Sequence, residues 1–233
     1  MSFIKSLPHV SWFVSLIGWF QYSVTFRTDG HLALLELFDV IDKKFGDMIG
    51  AKSVSTVVNL TCYSPALSHI GLGSRKQLEY SAIPERVELS ELDRKIIDFL
   101  RDNPLASLPE IGRALGTSST TISYRFNRLV TAQAILGFGY AYDAVNLQDN
   151  EFLVSLATKG FGSPCFDSIA KFCAEDGRVW WLGRFIGHWD MQLSLSIKKA
   201  QDLDLFIQQL HAICRDQIEE IHIHTFGKLY RDR

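Results

Sequence analysis

Residues 9–26, HVSWFVSLIGWFQYSVTF, align without a gap on residues 178–195, RVWWLGRFIGHWDMQLSL. Val10 falls on Val179, Trp12 on Trp181, Ile17 on Ile186 and Gly18 on Gly187. After a slip of one residue the match resumes, with Leu35, Leu37 and Phe38 on Leu203, Leu205 and Phe206. Two copies of one unit therefore flank a different central segment, and any fold proposed for this chain must build that unit twice.

The second copy carries a full set of elements. Glu151 to Ala157 reads as a strand. Ser163 to Glu175 reads as a helix, with Pro164 in its first turn and Phe166, Ile169, Ala170 and Cys173 in an i, i+3, i+4, i+7 stripe. Val179 to Ile186 and Trp189 to Ile197 are β-rich runs broken at Gly187-His188, a hairpin signal. Leu203 to Cys214 is amphipathic, and Glu220 to Phe226 alternates as a last strand. The order β-α-β-β-α-β is that of a ferredoxin-like unit. The first copy supplies only the second half: strands at 9–17 and 19–27, a helix from about Leu32 to Phe45 and a strand at about 53–62. Its opening strand and helix are missing, which would leave backbone groups unpaired inside a sheet. Arg75 to Ala82, RKQLEYSA, is the best local segment to fill that gap; otherwise the chain is a fragment or the strand comes from another molecule.

Several classes of protein are disfavoured. The apolar run from Val10 to Phe20 after Lys5 superficially resembles a secretion signal, but Pro8 and His9 interrupt it and its pattern recurs near the other end. It is also shorter than the roughly 20 apolar residues of a membrane span. The expectation is a cytoplasmic protein with no membrane partner. Cys62, Cys165, Cys173 and Cys214 are scattered, without a C-x-x-C pair, and read as reduced thiols. The net charge of −2 shows no overall basic excess, so a nucleic-acid role must rest on a local surface.

Such a surface is available in the middle. Ser90 with Asp93 and Ser107 with Glu110 mark two helix starts, and Gly116 marks a tight end. A third helix opens at Ser118 or Ser119, burying Ile122, Phe126, Leu129 and Val130, and residues 135–142 suit a β-wing. Two short helices joined by a Gly-containing turn make a helix-turn-helix, whose second helix enters the major groove. The candidate DNA-binding residues are Ser118, Ser119, Thr120, Thr121, Ser123, Tyr124, Arg125, Asn127 and Arg128. Hydroxyls and a helix start suit phosphates, while Arg and Asn reach base edges. A purely structural three-helix module with a polar face is the competing interpretation. The tryptophans on the strands suit core or interface better than base stacking.

The stretch ELDRKIIDFLRDNPLASLPEIGRALGTSSTTISYRFNRLVTAQAILGF resembles the winged helix of the Lrp/AsnC family of regulators. The following β-α-β-β-α-β unit resembles that family's effector-sensing RAM domain, with Gly187-His188-Trp189-Asp190 similar to its G-x-aromatic-D turn. The resemblance implies an α+β protein: a winged helix-turn-helix at 89–145 flanked by two ferredoxin-like RAM-type units, an incomplete one at 1–66 and a complete one at 150–233, with a linker at 67–88. It further implies binding of double-stranded DNA, a small amino-acid-like effector at Gly187, His188, Trp189 and Asp190, and homo-oligomers built through the RAM-type sheets, with the two units of one chain packed on each other. No cofactor, metal or catalytic residue is implied. Two departures stand out: Gln133 replaces the usual Gly before the wing, and Gln21 replaces the Asp of the turn in the first copy. Siroheme decarboxylases resemble the same architecture, and on that alternative His188, His222, His224 and Arg184 would gather around a tetrapyrrole. An oligomeric scaffold without DNA binding is the third possibility.

Overall fold

A computed structural model describes residues 2–63, 77–81, 87–138, 150–160 and 162–232. The first copy contributes a short helix α1 (Ser2–Ser6), strands β1 (Val10–Ile17) and β2 (Tyr22–Phe26), helix α2 (His31–Phe45) and strand β3 (Ser55–Tyr63). Strand β4 (Gln77–Ser81) precedes three helices, α3 (Glu91–Asp102), α4 (Leu108–Ala114) and α5 (Ser119–Thr131). The second copy follows as β5 (Asn150–Thr158), α6 (Ser163–Glu175), β6 (Val179–Gly187), β7 (Met191–Ile197), α7 (Ala200–Cys214) and β8 (Ile218–Asp232). The α+β class and the ferredoxin-like second unit are as expected.

One eight-stranded antiparallel sheet runs β2-β1-β8-β5-β7-β6-β3-β4. The complete unit forms its centre, β8-β5-β7-β6. The first copy does not form a body of its own. Its hairpin β1–β2 pairs with β8 at one side, and its last strand β3 pairs with β6 at the other. The pairing is reciprocal: β1 corresponds to β6 and β3 to the second half of β8, so each copy's hairpin strand binds the other copy's last strand. The registers repeat too. Ile17 pairs with Thr225 as Ile186 pairs with Thr56, Leu16 with Phe226 as Phe185 with Val57, and Val14 with Leu229 as Gly183 with Leu60. Residues exchange roles across this joint as they do in an isologous two-fold contact, here within a single chain.

The expected slip between the copies is not needed. Helices α2 and α7 start and end at the same offset as the strands, which places Leu37 on Phe206, both buried. The gap is filled only in part. The segment proposed to fill it does form a strand, β4, on the edge of β3 opposite β6. It pairs with the far half of β3, Asn59 to Tyr63, and among the described strands β2, at the other end of the sheet, has β1 as its one neighbour.

The side-chain layers explain the difference in order between the copies. In the second unit, α6 and α7 cover one sheet face, burying Ile169, Phe206, Leu210, Val154, Leu156 and Leu193; a fully buried apolar side chain of this size contributes roughly 1.5–3 kcal/mol. Of α6 the first copy has only α1, at the offset of residues 171–175, and the same positions open up: Tyr22 is 45% exposed where Met191 is 1%. On the opposite sheet face Val14, Leu16 and Leu153 pack with Trp12, Trp181, Phe20 and Phe226, which puts these tryptophans in the sheet layer.

One expectation is overturned. Cys165, in the first turn of α6, and Cys214, at the end of α7, are joined by a disulfide with Cα atoms 5.2 Å apart, and neither Cys62 nor Cys173 belongs to that bond. Sequence spacing carries no sign of this bond. Only the packing of α6 against α7 brings the two Cα atoms within bridging range.

Candidate nucleic-acid interface and effector turns

The three central helices enclose their own core of Ile96, Leu100, Ile111, Ile122 and Leu129. Helix α3 begins with a full capping box, Ser90 with Asp93, and α4 with Ser107 and Glu110. Gly116 then adopts φ +65, a left-handed turn residue after α4. Gly112 makes a second demand: a Cβ there would lie 2.8 Å from the Thr117 carbonyl oxygen and 3.3 Å from the Ser119 nitrogen. Its absent side chain lets the turn into α5 pass close over α4, a constraint that the helix pattern alone did not reveal.

Helix α5 starts at an N-cap on Ser118, whose Oγ accepts from the Thr121 backbone N–H at 3.1 Å and lies 2.8 Å from the Thr121 hydroxyl. Ser118 and Thr121 are thus engaged in holding the helix start. Ser119, Thr120, Tyr124 and Asn127 are exposed, Tyr124 at 69%, and Ser123 is half-buried. Thr120, Tyr124 and Asn127 share one face at i, i+4 and i+7. Arg125 and Arg128 are occupied elsewhere. The Asp93 carboxylate, 0% exposed, accepts from Arg125 Nη1 at 3.3 Å, from Arg128 Nη2 at 2.5 Å and from the Ser90 hydroxyl and backbone N–H. Burial pushes this carboxyl up, but the Ser90 hydrogen bonds and the two guanidinium groups outweigh it and hold it below the ordinary carboxylate range. The capping role of Asp93 was legible in the sequence; its second role, tying α5 to α3, was not.

After α5, Gln133 takes φ +55, so the position where the resemblance implies Gly has the left-handed backbone that favours Gly. Residues 135–138 form no strand, and the remainder of the expected wing lies outside the described residues. Phe138 stacks on Phe126, and β4 reaches this region, with Leu78 so close to Gly137 that a Cβ there would lie 2.6 Å from it.

The two G-x-aromatic turns have the same backbone. Gly18 and Gly187 both adopt φ +149, and the Gln21 carbonyl accepts from Leu16 N–H at 2.8 Å as the Asp190 carbonyl accepts from Phe185 N–H at 2.8 Å. Their side chains differ. The Asp190 Oδ2 accepts from the backbone N–H and the hydroxyl of Thr158, at 2.7 and 2.8 Å. This carboxylate pins the turn to β5. Gln21 is exposed. Trp189 is buried, and the His222 ring lies between it, at 4.8 Å, and Trp19, at 5.6 Å. His188 also packs on Trp189 and reaches Glu220.

His224, 2% exposed, joins the copies. Its Nε2 accepts from the Phe20 backbone N–H at 3.2 Å, its ring stacks with Phe20, and a Cβ on Gly18 would lie 2.8 Å from it. Burial, and then the neighbouring His222, lower its pKa. A histidine held neutral in this way contributes stability that is complete above the unfolded value of about 6.5 and declines as pH falls through the lower folded value. The resistance of the native chain to denaturation is expected to fall on acidification below about pH 6.5, and His224→Gln, which keeps an acceptor for Phe20, to flatten that part of the profile. An identical slope in both proteins would contradict it.

The residues of the enzyme alternative are only partly gathered. His188, His222 and His224 lie together, but Arg184 turns away to the Ser163 hydroxyl and the Phe166 ring. Among the described residues no group of three or more His, Cys, Asp or Glu could hold a metal ion, and no helix is long and apolar enough to cross a membrane.

A tri-helical unit of this form, with two capping boxes and a glycine-tightened turn, is a helix-turn-helix. Residues 89–130 match the AsnC-type helix-turn-helix domain family. An HTH-type transcriptional regulator of Pyrococcus horikoshii is 30% identical over 129 residues, covering 52% of this chain and 76% of that protein. Among solved structures, an AsnC family regulator from Agrobacterium tumefaciens aligns with a TM-score of 0.51 at 18% identity, over 60% of this chain and 91% of its own. A transcriptional regulator of Neisseria meningitidis aligns at 0.52 and 13%, over 60% and 91%. The chain belongs to the Lrp/AsnC family of HTH-type transcriptional regulators.

Proposed function

We propose that this chain binds double-stranded DNA through α5 and is controlled by a small effector at its G-x-aromatic turns. The observation that carries the DNA reading is the exposed face of Thr120, Tyr124 and Asn127 on a helix fixed by a glycine-tightened turn. Ser119 and Ser123 flank it, and Ser118 and Thr121 secure its start. Asn127 suits adenine, and short hydroxyls suit phosphate. Arg125 and Arg128 enter this interface only as far as Asp93 allows.

For the effector, the Neisseria relative was solved as an L-Met complex, which supports an amino-acid-like ligand at Gly187, His188, Trp189 and Asp190. Because Asp190 Oδ2 is already bound to Thr158, such a ligand meets the aromatic and histidine side chains of the turn more readily than a free carboxylate. Assembly of copies into homo-oligomers, a cytoplasmic location, a regulatory rather than catalytic role, and the domain limits 1–66, 89–145 and 150–233 belong to the same proposal. The separation of Arg184 from the histidines favours the regulator over the tetrapyrrole enzyme.

Selection of bound fragments from a genomic pool tests the proposal. At about 150 mM salt, near physiological ionic strength, discrete sites are expected to be enriched. Uniform retention of all fragments, or of none, contradicts it.

A further inference from the structure

We propose that Asp93 is a positioning residue for DNA recognition, withholding Arg125 and Arg128 from the phosphate backbone and leaving the duplex to the neutral face of α5. The inference rests on the DNA-binding reading above. Arg125 and Arg128 are the only charged residues between Ser118 and Thr131, so they hold all the charge with which this helix could neutralise phosphates. Both are directed instead at one carboxylate. Arg125 Nη1 lies 3.5 and 3.3 Å from the two Asp93 oxygens and 3.2 Å from the Ser90 hydroxyl, and Arg128 Nη2 lies 2.5 Å from Oδ2. A carboxylate with 0% exposure cannot exchange these partners for water, because an unpaired buried charge is strongly disfavoured. The two arginines are therefore held on the face toward α3, while Thr120, Tyr124 and Asn127 project from the other.

The functional consequence follows from how charge acts on DNA. Phosphate contacts supply sequence-independent affinity and its salt dependence, and base contacts supply discrimination. Holding two guanidinium groups back trims the first without touching the second, which raises the ratio of specific to non-specific binding. Asp93 thereby sets how selective α5 is, although it never meets the duplex.

The test is the salt dependence of duplex binding by the full chain. Each phosphate neutralised contributes about 0.9 to the slope of log K against log salt. Asp93→Asn, close in shape but neutral, frees the arginines: the slope on random-sequence duplex is expected to steepen by about one to two, and non-specific affinity at about 50 mM salt to rise tenfold or more. A merely structural role would weaken binding without steepening the slope. Arg128→Ala, in the presence of Asp93, is expected to leave the slope unchanged. The proposal is overturned if folded Asp93→Asn keeps the native slope, or if Arg128→Ala flattens it by about one. Should Asp93→Asn fail to fold, the Arg128→Ala slope decides. Failure of the underlying DNA-binding reading looks different: neither the native chain nor Asp93→Asn retards any duplex at about 50 mM salt.

Discussion

Gly187→Ala is expected to lower the stability of the chain by about 2–6 kcal/mol. Two costs combine. At φ +149 the backbone is one that L side chains rarely adopt, a strain of about 1–3 kcal/mol. The new Cβ would also lie 2.6 Å from the Val54 carbonyl oxygen and 2.7 Å from the Ser55 Cα, both main-chain atoms of the paired segment, and such overpacking costs roughly another 1–3 kcal/mol. Gly18→Ala repeats the experiment at the other joint, where the obstruction is the His224 ring at 2.8 Å and the Ile223 carbonyl at 3.1 Å. Gly50→Ala is the control, with no neighbour within 4 Å and no positive φ. Urea denaturation should show large losses for both turn variants and almost none for the control. A near-neutral Gly187→Ala would mean that β3 does not lie against β6.

The second large effect concerns the bond between α6 and α7. Cys165 and Cys214 are separated by 49 residues, and closing a loop of that length in the unfolded chain is worth about 4 kcal/mol on the chain-entropy estimate. Cys214→Ser, or full reduction of the native chain, is expected to lower stability by about 2–4 kcal/mol. Cys62→Ser and Cys173→Ser leave the bond in place, so they separate loss of a thiol from loss of the cross-link. If reduction leaves the denaturation midpoint where it was, the two cysteines are not bonded.

Local order was well marked in the sequence. The extent of α6 follows from Pro164 and the apolar stripe, although its N-cap is Gly162 rather than Ser163, and the starts of α3 and α4 follow from their capping residues, because these signals act over one or two turns. The repeat announced two equivalent turns, and Gly18 and Gly187 do share one backbone conformation. What could not be read was which strand each copy would choose. A hairpin can pair with either edge of a related unit, and the choice is made by contacts some 200 residues apart, such as Ile17 with Thr225. The apparent slip arose because Leu35 and Leu203 look alike, whereas burial aligns Leu37 with Phe206.

The candidate site followed the same division. The polar face of α5 was legible from its spacing. The commitment of Arg125 and Arg128 to Asp93 was not, since Asp93 already had an adequate explanation as the partner of Ser90. The resemblance likewise places Asp190 in an effector turn, and Thr158, 32 residues away, takes that carboxylate. Gly112 sat inside a helix pattern where nothing local distinguishes a packing glycine from a tolerated one.

The central claim is that the outer face of α5 reads the duplex. Its most direct measurement is the affinity of a Tyr124→Ala, Asn127→Ala double variant for an enriched genomic site and for random duplex, at one salt concentration. Lost base contacts typically cost about 1–3 kcal/mol each, so binding to the site should weaken by tenfold or more while binding to random duplex changes little. Equal affinities of native and variant chains for the enriched site would contradict the account.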